Sequence, residues 1–224
     1  MPVDVLIMKA VNAENTARAV EVRAQLDARR ILGLNFMSSP GSGKTSLLEA
    51  TFERLGGRLR FAVVEGDVYT ALDAERIARH GVAAVQINTE GSCHMTAHML
   101  LEALPRLNLD GVDVLVIENI GNLICPAGFS LGEHQKVALL STAEGADKVD
   151  KYPRLFAESH VNVITKTDLA PHVDFDVAAV AARLRQLNPA APVLAVSAKT
   201  GAGIDEWCDW LAAQRQAQLS GAGA

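Results

Sequence analysis

The chain has too few cysteines for a disulfide framework: Cys93, Cys125 and Cys208 are the only ones in 224 residues, an odd number without regular spacing. Reduced thiols in a cytosol fit that pattern. No stretch approaches the ~18 apolar residues a membrane span requires, and the start MPVDVLIMKAVN has an apolar patch without a basic segment, long apolar core and small-residue cleavage site. The expectation is a soluble, cytoplasmic protein with no membrane partner. Dense Lys/Arg runs are also missing, and a formal net charge of -5 opposes contact with a phosphate backbone, so nucleic acid is not an expected partner. No internal repeat is visible.

What the chain does have is apolar content, 49% of its residues, enough for a sizeable core in one domain spanning 1–224. Short runs rich in Val, Ile and Leu recur: ILGLNFM at Ile31, RFAVVE at Arg60, AVQIN at Ala84, DVLVIE at Asp113, KVALLS at Lys136, VNVIT at Val161 and PVLAVS at Pro192. Runs that are continuous rather than alternating are the pattern of strands covered on both faces. Between them lie predicted helices at 45–55, 72–80, 95–104, 177–187 and 204–219, with an earlier one at about 12–29. The order predicts an α/β fold, a mostly parallel sheet of about seven strands with helices on both faces. The terminal SGAGA, about 220–224, is expected to fray. The Gly-rich stretch IGNLICPAGFSLGE (120–133) is long for a strand connection and is read as a functional loop.

The first strand runs into SSPGSGKTS, where Gly43, Lys44 and Thr45 match the end of the phosphate-binding loop pattern. Gly41 and Gly43 allow a tight turn that aims N–H groups of Gly41 to Ser46, Ser42 included, at phosphate oxygens. Lys44 reaches the β and γ phosphates and the Thr45 hydroxyl binds Mg²⁺, while the following helix adds the field of its N-terminus. Ser38 stands where the pattern has its first glycine. The rival reading is a Gly-rich turn with a solvent-facing lysine. Asp67 and Glu118 each end a predicted strand, on the ligand edge of a parallel sheet. Carboxylates there can hold Mg²⁺ or orient an attacking water, or serve only as a helix cap or solvated acid.

After the sixth strand comes TKTD (165–168) and after the seventh SAK (197–199), in which the chain resembles GTPases. The resemblance implies that Asp168 accepts from guanine N1 and N2, that the Lys166 stem packs along the base, and that the backbone N–H of Ala198, between Ser197 and Lys199, donates to O6. Thr165 replaces the usual asparagine, which puts a loop-bracing hydrogen bond in question. A carboxylate that suits guanine's two donors would face adenine's acceptor N1 unpaired, so GTP and GDP are the expected ligands.

EGSCHMTAH (90–98) sets a thiol beside an imidazole, a donor pair suited to a borderline metal ion and equally common in cores. With VVEGDVYTALDAERIARHG, QINTEGSCHMTAHM, VIENIGNLICPAGFSLGEH and ITKTDLAPHVDFD, it resembles the hydrogenase and urease maturation GTPases, and within them the nickel-insertion GTPases of [NiFe] hydrogenase assembly. The likeness runs from about residue 12 to 211. It implies a Ni²⁺ or Zn²⁺ site of Cys93, His94 and Cys125 shared across a GTP-dependent homodimer, with a second nickel chaperone and the hydrogenase large subunit as partners. It also implies that STAEGADKVDKYP is a dimer-contact segment in which Lys148 approaches the partner's nucleotide. His98 is expected to pack or meet solvent, and Cys208 to be buried. The cysteine-rich motif and histidine-rich tract found in parts of this family do not occur here, so a high-affinity nickel store is not expected.

The functional expectation is a slow GTPase acting as a metallochaperone, with Lys44, Thr45, Asp67 and Glu118 as its catalytic set. Its rivals are a metal-binding protein with a non-hydrolytic nucleotide site, a sibling GTPase serving urease or another metalloenzyme, and a small-molecule kinase.

Overall fold

The computed structural model describes residues 2–67, 72–89 and 91–221, and among these the side chains of 2–12, 67, 72 and 74 are left undescribed. Strand β1 (Leu32–Met37) is buried along its whole length. Around it stand β2 (Phe61–Asp67), β3 (Ala83–Asn88), β4 (Val114–Glu118), β5 (Gln135–Ser141), β6 (Val161–Thr165) and β7 (Val193–Ala195). They form one seven-stranded sheet in the order β3-β2-β4-β1-β5-β6-β7, with every neighbouring pair parallel. This is the α/β architecture of P-loop nucleotide-binding proteins. Because β1 sits mid-sheet, the loop that follows it emerges at the carboxyl edge where strand order reverses, the place ligands occupy in open α/β sheets.

The helices are α1 (Pro2–Ala28), α2 (Lys44–Leu55), α3 (Leu72–Ala78), α4 (Ala97–Ala103), α5 (Lys148–Lys151), α6 (Pro153–Ala157), α7 (Val177–Leu187) and α8 (Ile204–Leu219). Successive strand residues point to opposite faces. Leu34, Phe36, Val63, Val116 and Val163 meet α2, α3 and α8 on one face. On the other, Val64, Leu115 and Ile117 meet α1 and α4, while Ala138, Leu140 and Ile164 meet α5, α6 and α7. Both faces are thus covered, which is why the strands read as continuous apolar runs.

Helix α1 begins at Pro2, ten residues before the predicted start at 12. No glycine or internal proline interrupts 3–28, and proline is well accommodated in a first helical turn. Two short helices, α5 and α6, are additions to the sequence reading. The C-terminal helix stops at Leu219 as expected, and of the 220–224 tail residues 222–224 lie outside the described residues. Among the described residues no helix is long and apolar enough to cross a membrane.

Trp207 fixes α8 to the phosphate-loop helix. It is fully buried, meets Phe36 edge-on at 5.7 Å, and its indole N–H donates to Thr51 Oγ1 at 2.9 Å, while the Thr51 hydroxyl donates to the Leu47 carbonyl at 2.6 Å. Trp207→Ala is expected to cost about 3–5 kcal/mol, a large-to-small core loss, read as a lower urea midpoint for unfolding.

Candidate functional site

The loop between β1 and α2 turns through Gly41 (φ 71°) and Gly43 (φ 94°), left-handed positions that a side chain would strain. Lys44 opens α2 and is only 8% exposed. Its ammonium donates to the Ser38 hydroxyl at 3.0 Å, so the serine replacing the first glycine of the motif supplies a resting partner for the lysine. Thr45 donates through Oγ1 to Glu118 Oε1 at 2.9 Å. The second oxygen, Glu118 Oε2, is buried with no hydrogen-bond partner among the described residues. Burial pushes the Glu118 carboxyl up, opposed by Lys44, and burial pushes the Lys44 ammonium down, opposed by Glu118.

Lys44, Thr45 and Glu118 line a cavity of about 270 Å³ that also takes in Gly41, Gly43, Ser46, Asp73, Arg76 and Lys166. An orphaned carboxylate oxygen beside a hydroxyl is the donor set of a hard divalent cation such as Mg²⁺. Asp67 closes β2 opposite Asn88, at the same sheet edge, and its side chain lies outside the described residues.

A second cavity of about 280 Å³ adjoins the first through Gly43, Ser46 and Lys166 and is lined by Thr165, Asp168, Ala198 and Lys199. Thr165 Oγ1 donates to the Ser42 carbonyl at 2.6 Å, so the bracing hydrogen bond left in question by the missing asparagine is made by threonine. Lys166 adopts a left-handed conformation (φ 57°), a strain of about 1–3 kcal/mol typical of functional positions, and its ammonium donates to the Gly41 carbonyl at 2.6 Å. Ser197 is fully buried and donates from Oγ to Asp168 Oδ1 at 2.6 Å, fixing the carboxylate toward the cavity.

The third group lies across the same sheet edge. Cys93 Sγ stands 3.0 Å from Cys125 Sγ and 3.5 Å from His94 Nδ1, and the three ligand atoms all fall within 4.8 Å of one another. Cys93 is exposed and Cys125 half-buried, so neither is a core residue, in contrast to Cys208. Asn122 shapes the centre: its Oδ1 accepts from the Ile124 and Cys125 N–H groups at 2.8 and 3.4 Å, and its Nδ2 donates to the Cys93 carbonyl at 3.1 Å. The His94 ring stacks on Phe129 at 4.3 Å. Its burial pushes the imidazole pKa down, favouring the neutral form that binds metal, whereas the hydrogen bond to Cys125 pushes the Cys93 thiol up. A metal held here would displace the Cys93 thiol proton. Two sulfurs and an imidazole suit Ni²⁺ or Zn²⁺.

His98 is exposed, near Glu102 at 3.5 Å and apart from this cluster. Lys148 is half-buried, its ammonium 5.5 Å from the Tyr152 ring centroid. The sequence reading missed Asp73 and Arg76, both on the phosphate cavity. Arg76 donates to Glu49 Oε2 at 2.5 Å, Asp73 Oδ1 at 2.9 Å and Ser46 Oγ at 3.3 Å. In sequence it reads as an ordinary solvated helix arginine.

The family model for the CobW/HypB/UreG nucleotide-binding domain matches residues 34–195. The hydrogenase maturation factor HypB of Azotobacter vinelandii is 50% identical over 214 residues, covering 95% of this chain and 70% of that protein. Among solved structures, HypB from Helicobacter pylori in complex with nickel aligns with a TM-score of 0.86 at 37% identity, over 91% of this chain and 95% of that one. The hydrogenase maturation factor HypB from Archaeoglobus fulgidus aligns with a TM-score of 0.85 at 39% identity, over 91% and 99%.

Proposed function

The chain belongs to the HypB hydrogenase maturation factors, within the CobW/HypB/UreG nucleotide-binding family, and on that premise we propose that it is a GTP-hydrolysing metallochaperone for nickel. The observation that carries this reading is the juxtaposition, on one sheet edge, of a phosphate loop with Lys44, a base cavity closed by Asp168, and the Cys93, His94 and Cys125 cluster.

Gly41 to Ser46 hold the phosphates, with Lys44 leaving Ser38 for the β and γ oxygens. Asp168 reads guanine's two donors while Lys166 lies along the base and the Ser197 to Lys199 turn presents the Ala198 N–H to O6. Thr45 and Glu118, with Asp67, would hold Mg²⁺, whose chemistry is to neutralise charge developing on the phosphates. Glu118 would give up its Thr45 hydrogen bond for that role, and the carboxylates of this edge would orient water at the γ-phosphate. No arginine finger or dedicated base is obvious in the sequence, so slow turnover is expected, as suits a switch.

Nickel is cargo. Three protein donors among the described residues leave the coordination open, which supports a site completed by a second copy in a GTP-dependent homodimer. Family membership supports release to the hydrogenase large subunit with a second nickel chaperone. Zn²⁺ competes for the same donors.

The test is phosphate release from GTP and ATP. The expected result is a slow, Mg²⁺-dependent rate with GTP only, abolished by EDTA and by Glu118→Ala in folded protein. Nucleotide binding without any hydrolysis would instead favour the non-hydrolytic reading.

A further inference from the structure

A pair of buried amides, Asn35 and Asn119, ties the segment after Glu118 to β1 and to the metal segment. Asn119 directly follows Glu118 and is 2% exposed. Its Oδ1 accepts from the Met95 N–H at 3.2 Å and its own neighbour Ile120 N–H at 3.0 Å, and its Nδ2 donates to Asn35 Oδ1 at 3.2 Å in the middle of β1. Asn35 in turn donates to Glu133 Oε1 at 3.3 Å. Three residues on, Asn122 holds the Cys93 carbonyl, so the segment after Glu118 grips the Cys93 to Met95 stretch at two points on either side of His94.

The same segment touches the phosphate loop. A Cβ at Gly121 would stand 2.6 Å from the Pro40 nitrogen, and one at Gly66, just before Asp67, would stand 2.5 Å from Met95 Sδ. Glycine at 121 lets the segment after Glu118 close on the Pro40 backbone, and glycine at 66 lets the Met95 side chain pack onto the end of β2, so nucleotide loop, β2 end and metal segment are in direct contact. A shift of Glu118 on engaging nucleotide therefore moves Asn119 and Asn122, and with them a backbone N–H and a carbonyl flanking His94. A packed core transmits such a displacement rather than absorbing it.

We infer that Asn119 and Asn122 are positioning residues that set the geometry of Cys93, His94 and Cys125 according to the nucleotide held at Lys44 and Thr45. The inference rests on the nucleotide-gated nickel site proposed above. Neither asparagine lines the two nucleotide cavities or belongs to the Cys93, His94 and Cys125 donor cluster.

The experiment is anaerobic Ni²⁺ titration of the full chain loaded with GDP or with a non-hydrolysable GTP analogue. The wild type is expected to show a ratio of nickel affinities between the two of about fivefold or more. In Asn119→Ala that ratio is expected to fall below about twofold, with GDP affinity held within about threefold. A merely structural role would weaken nickel binding in both nucleotide states and leave the ratio intact, and an intact ratio overturns the inference. Should Asn119→Ala fail to fold, the half-exposed Asn122→Ala carries the same test, with the same two outcomes. A wild-type ratio near one overturns the nucleotide-gated reading itself and this inference with it, whereas an unchanged ratio in the variants overturns the inference alone.

Discussion

Lys44→Ala is expected to weaken GTP and GDP binding by about 30-fold or more, the equivalent of about 2 kcal/mol or above for truncating one partner of a buried charge pair. The side chain is almost wholly buried and rests on Ser38, so in the free protein its ammonium has already shed most of its hydration. Phosphate oxygens then meet a cation that gives up little on binding. The substitution also strips Glu118 of the positive charge that opposes the upward push of burial on its carboxyl. Lys44 also offsets charge developing on the transferring phosphoryl group, so hydrolysis is expected to fall further than affinity. Calorimetry with both nucleotides checks the first effect and single-turnover phosphate release the second. An unchanged GDP affinity would show that the loop after β1 does not hold phosphate.

Asp168→Asn is expected to exchange the base. The wild-type carboxylate is pinned by Ser197 on one oxygen and, in the function proposed above, offers acceptors to guanine N1–H and N2–H. Asparagine keeps an acceptor for N1–H but sets an N–H donor against the guanine amino group. Losing charge-assisted hydrogen bonds of about 1.5–3 kcal/mol each predicts a fall of about 100-fold in GTP affinity. Xanthine carries a carbonyl where guanine carries that amine, so XTP affinity is expected to rise in the same variant. Competition with GTP, XTP and ATP reads all three. Equal GTP affinity in wild type and variant would remove Asp168 from the base pocket.

Much of this was legible before folding because it is local. Strands buried on both faces announce themselves as unbroken apolar runs, and the phosphate loop is a contiguous pattern whose strand and helix flank it in sequence. TKTD and SAK could be read for the same reason, although whether Thr165 replaces the asparagine brace depended on where the Ser42 carbonyl lies, 123 positions away in sequence. The metal cluster was legible only as resemblance, since nothing in EGSCHMTAH says that Cys125 comes within 3.0 Å of Cys93.

What sequence hid was the long-range polar wiring. Asn35 interrupts an apolar strand and Asn119 follows one, and each is meaningful only once the other is 3.2 Å away. Arg76 reaches the phosphate cavity because α3 packs beside α2, a tertiary fact without periodic signature. The single-turn helices α5 and α6 fall below the length at which helical periodicity can be seen. Along α1, Val3, Leu6, Ile7 and Ala10 do carry helical spacing, but a short apolar stretch at the start of a chain is equally the pattern weighed for a leader.

The central claim, that nucleotide and nickel sites form one switched unit, is tested most directly by anaerobic Ni²⁺ and Zn²⁺ titration of GDP-loaded and GTP-analogue-loaded protein beside Cys93→Ala and Cys125→Ala. The expected result is a metal affinity that differs between the nucleotide states and is lost with either cysteine. Affinity indifferent to nucleotide and to both cysteines would contradict the account, leaving a nucleotide-binding domain whose Cys-His pair has no part in its work.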